Sequence, residues 1–183
     1  MVLLASPACN FQQKAYDFTA KLPDGENWTL SDHVKDNPFL VMFICNHCPY
    51  VQAIIERLVA DAKTMQKYGI DVVAVMPNDY GFYPDDAPEK MIEFAEKHDF
   101  SFPYVVDEHQ DIAKNYDAIC TPDFFGFNAD WELQYRGRID DVRLEQTNRH
   151  TPELLNAMLQ IKETGEGPSN QNASMGCSVK WRV

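Results

Sequence analysis

Basic residues are scarce in this chain. Sixteen Lys and Arg stand against 28 Asp and Glu, a formal net charge of −12, with a pI near 4.7. A surface of that sign repels phosphate backbones and anionic headgroups, so nucleic acid and membranes are not expected partners. Long apolar runs are missing as well, and nothing approaches the ~20 residues a bilayer-spanning helix needs. Met1 to Asn10 carries no basic segment and only a short apolar run, so no signal peptide is expected. Cysteine is sparse and odd in number: five, at irregular spacings. That pattern excludes a secreted disulfide framework and points to a reducing, cytoplasmic setting. A second Cys-x-x-Cys is also absent, which leaves a structural zinc site two ligands short.

What is present is a core: 45 % of the 183 residues are hydrophobic, enough for one domain with extensions. Phe39-Leu40-Val41-Met42-Phe43-Ile44 is a continuous apolar run, the signature of a strand buried on both faces. It ends at Cys45-Asn46-His47-Cys48-Pro49. From Pro49 the period becomes helical, with Ile54, Ile55, Leu58, Val59 and Ala62 on one side and Gln52, Glu56, Arg57 and Asp61 on the other. A Cys-x-x-Cys pair therefore stands where a buried strand hands over to a helix. Backbone N–H groups there are unpaired and the helix dipole is positive, so a thiolate is stabilised and nucleophilic. His47, between the cysteines, adds a hydrogen bond or charge that favours a Cys45 thiolate. Pro49 costs little at a helix start, because the N–H it lacks has no partner there.

Around this centre, Ala15 to Ala20 and Trp28 to Leu30 alternate on either side of a Pro23–Glu26 turn and read as a hairpin. Ile70 to Met76 is a second buried strand and Tyr104 to Asp107 a third. Glu89 to His98 and Ile112 to Tyr116 read as helices. Pro77 to Pro88 is a loop rich in Asp, Pro and aromatic residues that flanks the site. Asp123 to Asn128 and Trp131 to Arg138 form a second hairpin, and Thr151-Pro152-Glu153 opens a last helix. From Gly165 the composition turns to Gly, Pro, Ser and Asn. The expected division is a domain over 1–165 and a flexible tail over 166–183, within an α/β fold of mixed sheet direction.

The order strand, Cys-x-x-Cys, helix, crossover, Thr-Pro, hairpin, helix resembles the thioredoxin fold. The N-terminal hairpin and the inserted helix resemble its redoxin branch, the alkyl-hydroperoxide-reductase/thiol-specific-antioxidant group, over roughly residues 12–165. The specific elements are Phe43 to Pro49 and Cys120-Thr121-Pro122-Asp123-Phe124-Phe125. The resemblance implies a central mixed sheet flanked by helices and a thiol–disulfide oxidoreductase that needs no bound cofactor or metal. Cys45 is then the nucleophile, Cys48 the resolving thiol, and Pro122 a cis proline facing them. Asn46, His47, Pro49, Cys120 and Thr121 complete the site. Implied partners are protein or small-molecule thiols and disulfides, with a redox protein to exchange electrons; oligomeric state is left open.

Two alternatives stay beside this reading. One is a thiol peroxidase of the peroxiredoxin type, although the Pro and Thr or Ser expected upstream of its reactive cysteine are replaced by Val41 and Cys45. The other is a metal-binding or metal-delivery protein using the same cysteines. Cys120 is a candidate third redox cysteine or a buried apolar residue. Cys177 is either an extra resolving thiol that reaches back or part of a tail packed through Val179 and Trp181. Asp17 and Asp107 are candidates for a buried proton-accepting carboxylate. Arg136 and Arg138 read as solvated charges.

Overall fold

The computed structural model describes residues 2–11, 13–142, 144 and 150–183. The chain runs through β1 (Leu3–Ala5), β2 (Thr19–Lys21), β3 (Asn27–Thr29), the short helix α1 (Leu30–His33), β4 (Phe39–Phe43) and α2 (Pro49–Lys67). It continues through β5 (Asp71–Met76), α3 (Pro88–Lys97), β6 (Tyr104–Val106), α4 (Asp111–Asn115), β7 (Cys120–Thr121) and β8 (Asp123–Phe127). The last elements are β9 (Leu133–Tyr135), α5 (Glu153–Thr164) and β10 (Met175–Ser178). Seven of the strands form one mixed sheet in the order β3-β2-β6-β5-β4-β8-β9. β4, β5 and β6 are parallel, while β2, β8 and β9 join antiparallel. This is the helix-flanked mixed sheet that the order of elements implies.

The period of two in β4 decides how the core divides. Leu40, Met42 and Ile44 face α2, α3 and α5, while Phe39, Val41 and Phe43 face the N-terminal hairpin and α4. The second face is the aromatic one: Phe39 stacks on Phe127, and Phe43, Phe125 and Tyr116 meet edge to face. Every β4 residue is buried. Each such side chain contributes roughly 1.5–3 kcal/mol relative to exposure, so the strand leading to Cys45 is firmly anchored on both faces.

Residues 166–183, expected as a flexible tail, pack against the domain instead. β10 lies between β1 and β7 in a separate three-stranded antiparallel sheet. Ser174 and Cys177 are buried, and the Ser174 N–H and hydroxyl bond Ser6 Oγ and the Pro122 carbonyl. The glycines of this stretch serve close approach. A Cβ at Gly176 would stand 2.1 Å from the Thr121 carbonyl oxygen, and one at Gly167 would meet Gln134 O at 1.9 Å.

Arg136 is likewise not a solvated charge. It is 6 % exposed, pairs with Asp123 at 3.0 Å and lies over the Phe125 ring, 4.4 Å from its centroid. Arg138, partly exposed, forms a two-pronged pair with Glu153.

Candidate active site

β4 delivers Cys45 to the upper edge of the sheet, and the chain turns through Asn46 and His47 before α2 begins. Cys48 is the N-cap of α2 and Pro49 its first residue. The cap position has a physical use here. It sets the Cys48 sulfur beside the first turn, where backbone N–H groups are unpaired and the helix dipole is positive.

The turn is held from below by Asp86, fully buried at the end of a 3-10 turn, Pro84–Asp86. Asp86 Oδ1 accepts the Asn46 N–H at 2.9 Å and the His47 N–H at 3.3 Å. Its Oδ2 accepts from His47 Nδ1 at 2.6 Å and Asn78 Nδ2 at 2.9 Å. A carboxylate only accepts, so Nδ1 carries a proton in the His47 ring. That bond raises the His47 pKa above its ordinary value. The ring also stacks on Tyr83, with centroids 5.5 Å apart. Asn46 is locked by three further bonds: its Nδ2 donates to Asp85 O, Tyr104 Oη donates to its Oδ1, and Gln52 Nε2 donates to its carbonyl.

Three sulfurs converge above this turn. Cys48 Sγ lies 3.1 Å from Cys177 Sγ and 3.2 Å from the Thr121 carbonyl oxygen. Cys45 Sγ lies 3.4 Å from Thr121 Oγ1. Thr121–Pro122 is a cis peptide. The dithiol shares one negative charge, and the donors gather on Cys48. Its hydrogen bond with Cys45 first, and then that with Cys177, pull the Cys48 pKa below its ordinary 9.0 against the opposing effect of burial. Burial is the main reason Cys45 is pushed well above that value, followed by its hydrogen bond to Cys48. Within the pair the lowered pKa therefore falls on the second cysteine, chiefly through its hydrogen bond with the first.

Of the remaining expected residues, Cys120 is fully buried with its Sγ 3.5 Å from the Pro122 carbonyl, and burial raises its pKa strongly. Asp107 accepts the Ile112 and Ala113 N–H groups at the start of α4, and Asp17 accepts the Ser31 N–H. Neither carboxylate makes a hydrogen bond to the cysteines or the turn between them. The carboxylate of the site is Asp86, which sequence reasoning placed only within a flanking loop. Its signal was that loop's position and its pair Asp85-Asp86 before Pro88. Cys45, His47 and Asp86 also offer ligand atoms within 4.8 Å of one another. The Asp86 oxygens, however, are already engaged by the four donors named above. A cleft of about 590 Å³ opens beside Pro122, lined by Tyr50, Phe124, Ile139 and Met175 among others.

The AhpC/TSA family profile matches residues 11–141. The chain belongs to the AhpC/TSA family. Among curated proteins no sequence matches it. This AhpC/TSA chain is similar to an uncharacterized conserved protein from Geobacillus kaustophilus, with 38 % identity, 100 % of this chain and 97 % of that one covered, and a TM-score of 0.92. It is also similar to a hypothetical protein from Sinorhizobium meliloti 1021, with 32 % identity, 98 % of each chain covered and a TM-score of 0.91. The thioredoxin domain of a thiol-disulfide oxidoreductase from Bacteroides vulgatus shares the fold at 15 % identity, with 86 % of this chain and 99 % of that one covered and a TM-score of 0.64. The AhpC/TSA chain is therefore a thioredoxin-like protein of the redoxin branch.

Proposed function

We propose that this protein is a thiol–disulfide oxidoreductase working through Cys45 and Cys48. The observation that carries the reading is the sulfur pair at the start of α2, with Cys48 Sγ 3.2 Å from the Thr121 carbonyl oxygen and Cys45 Sγ 3.4 Å from the Thr121 hydroxyl, beside Pro122. Cys45 passes its proton to Cys48 across their hydrogen bond, with the Thr121 hydroxyl positioned to donate to the new Cys45 thiolate. That thiolate attacks one sulfur of a substrate disulfide. A mixed disulfide forms, and the other substrate sulfur departs as a thiolate that takes a proton. Cys48 returns readily to its anionic form and attacks Cys45 Sγ. The substrate leaves as its second thiol and the protein holds a Cys45–Cys48 disulfide. A low pKa on the resolving thiol suits that second step, since only a thiolate attacks.

The electron partner is a redox protein or a small thiol, and the setting a reducing, cytoplasmic one, supported by five cysteines at irregular spacings. The test is intact-mass analysis after reaction with glutathione disulfide. Cys48→Ser should accumulate a mixed disulfide on Cys45 that wild type resolves. A mixed disulfide that instead accumulates on Cys48 in Cys45→Ser, and not in Cys48→Ser, reverses the two roles. Failure of either to form one removes the exchange reading.

One observation favours a second reading. Cys48, at the N-cap of α2 with its pKa lowered first by the hydrogen bond with Cys45, suits attack on a hydroperoxide, with thiol peroxidase activity as the result. Peroxide consumption that depends on Cys48 and outpaces disulfide exchange would select it.

A further inference from the structure

The exchange chemistry above uses two of the three sulfurs that meet at the start of α2. The third, Cys177 Sγ, is 3.1 Å from Cys48 Sγ. It is held there by the fold. Cys177 pairs with Thr121 across β10 and β7, beside the carbonyl that lies 3.2 Å from Cys48 Sγ. Gly176 lets the two backbones approach this closely. Beyond β10, the Val179 N–H bonds Ile119 O, and the Lys180 N–H bonds Asn78 Oδ1. Asn78 in turn donates to Asp86, which holds the Cys45–Cys48 turn. One network therefore fixes both partners of the contact. Closing from 3.1 Å to an S–S bond of about 2.05 Å needs only about 1 Å of side-chain movement.

We infer that Cys177 is a second exchange partner of Cys48, so that the oxidised protein distributes between a Cys45–Cys48 and a Cys48–Cys177 disulfide; this rests on the exchange reading above. The Cys177 thiolate attacks Cys48 Sγ of the Cys45–Cys48 disulfide. The Cys48–Cys177 bond forms and the Cys45–Cys48 bond breaks, its electron pair staying on Cys45 Sγ. The proton lost by Cys177 ends on Cys45, and no electron enters or leaves the protein.

The charge pattern times this step. In the reduced protein the Cys177 pKa is pushed up to about 12, first by burial and then by its bond to Cys48, while Lys180 acts the other way. When Cys48 enters a disulfide its negative charge is gone. Only burial then opposes the pull of Lys180, so Cys177 gains nucleophilicity at the moment a disulfide is there to attack. The outcome frees Cys45 for a further substrate while the oxidising equivalent is held on β10, now tied covalently to the start of α2.

The test is disulfide mapping by mass spectrometry across a graded glutathione redox buffer, on wild type, Cys45→Ser and Cys177→Ser, with Cys9→Ser as a control away from the cluster. The expected result is both Cys45–Cys48 and Cys48–Cys177 in wild type, in a ratio independent of protein concentration. In Cys45→Ser the Cys48–Cys177 bond should become the main intramolecular disulfide, several-fold above any other pairing. Cys177→Ser should retain Cys45–Cys48. If Cys45–Cys48 forms in wild type while Cys48–Cys177 is absent from both wild type and Cys45→Ser, this inference is overturned and the exchange reading stands. If neither bond forms in any protein, both are overturned.

Discussion

In the seven-stranded sheet, β4 buries all five of its residues. In the three-stranded sheet, β10 buries only Gly176 and Cys177, leaving Met175 and Ser178 half-buried. Both sheets use the same backbone hydrogen bonds, yet they do different work. β4 holds its place by apolar area on both faces, so it is a fixed platform from which Cys45 and the start of α2 project. β10 has little apolar area to contribute. It is held by pairing with β1 and β7 and by single contacts such as Ser174 to Pro122. What β10 achieves is placement: it closes over Cys48, which is fully buried, and sets a third sulfur against it. The large sheet supplies stability, and the small one supplies the surroundings of the reactive sulfur.

The sharpest way to break that division is to damage each sheet in turn. Phe43→Ala removes a ring from the aromatic face of β4 and should cost about 3–5 kcal/mol in denaturant unfolding. A loss below about 1 kcal/mol would mean that β4 does not anchor the fold as described. Gly176→Ala places a methyl group 2.1 Å from a backbone oxygen. Relieving it should cost only about 1–3 kcal/mol but displace β10 from β7. Reaction of Cys48 with a small thiol reagent should then rise by about tenfold or more, the factor that about 1.4 kcal/mol of easier opening gives. Unchanged reactivity would show that β10 does not cover the site in solution.

The charge on Cys48 offers a finer test. A lowered pKa means that the thiolate persists at neutral pH and is lost as pH falls through that lowered value. Thiolate absorbance should therefore titrate well below the ordinary 9.0, and Cys48→Ser should abolish that transition. Cys177→Ala removes one donor, and with a net hydrogen-bond worth of about 1 kcal/mol it should raise the midpoint by somewhat under one unit. No change would detach the small sheet from the chemistry.

The smallest effect concerns His47. Its pKa is raised in the folded protein by the bond to Asp86. The stability this contributes is fully present below the unfolded value near 6.5 and is lost as pH rises through the folded value. His47 is partly exposed, so the contribution is about 1 kcal/mol or less after screening. Asp86→Asn should flatten this slope and lower the His47 midpoint seen by NMR. An unmoved midpoint would contradict the Asp86–His47 bond.

The active-site turn and its flanking strand and helix were legible because each carries a local signal. Six apolar residues cannot be left in water, and the shift from a continuous apolar run to helical spacing marks where Cys45 and Cys48 fall. Thr121-Pro122 was legible through resemblance. Asp86 was not, because Asp79, Asp85 and Asp86 share one loop, and only the packing of that loop under the turn selects which carboxylate meets four donors. Arg136 misled for a related reason: a hairpin arginine is usually solvated, and only the fold brings Asp123 and the Phe125 ring to it.

The sequence by itself determined that a buried strand presents a Cys-x-x-Cys pair to the start of a helix, since that follows from local hydrophobic pattern and helix-end electrostatics. The tertiary structure alone decided which partners surround each cysteine. Burial, the donors on Cys48, and the return of residues 166–183 all depend on contacts between segments far apart in the chain. Glycines that read locally as flexibility proved to be the places where two backbones touch.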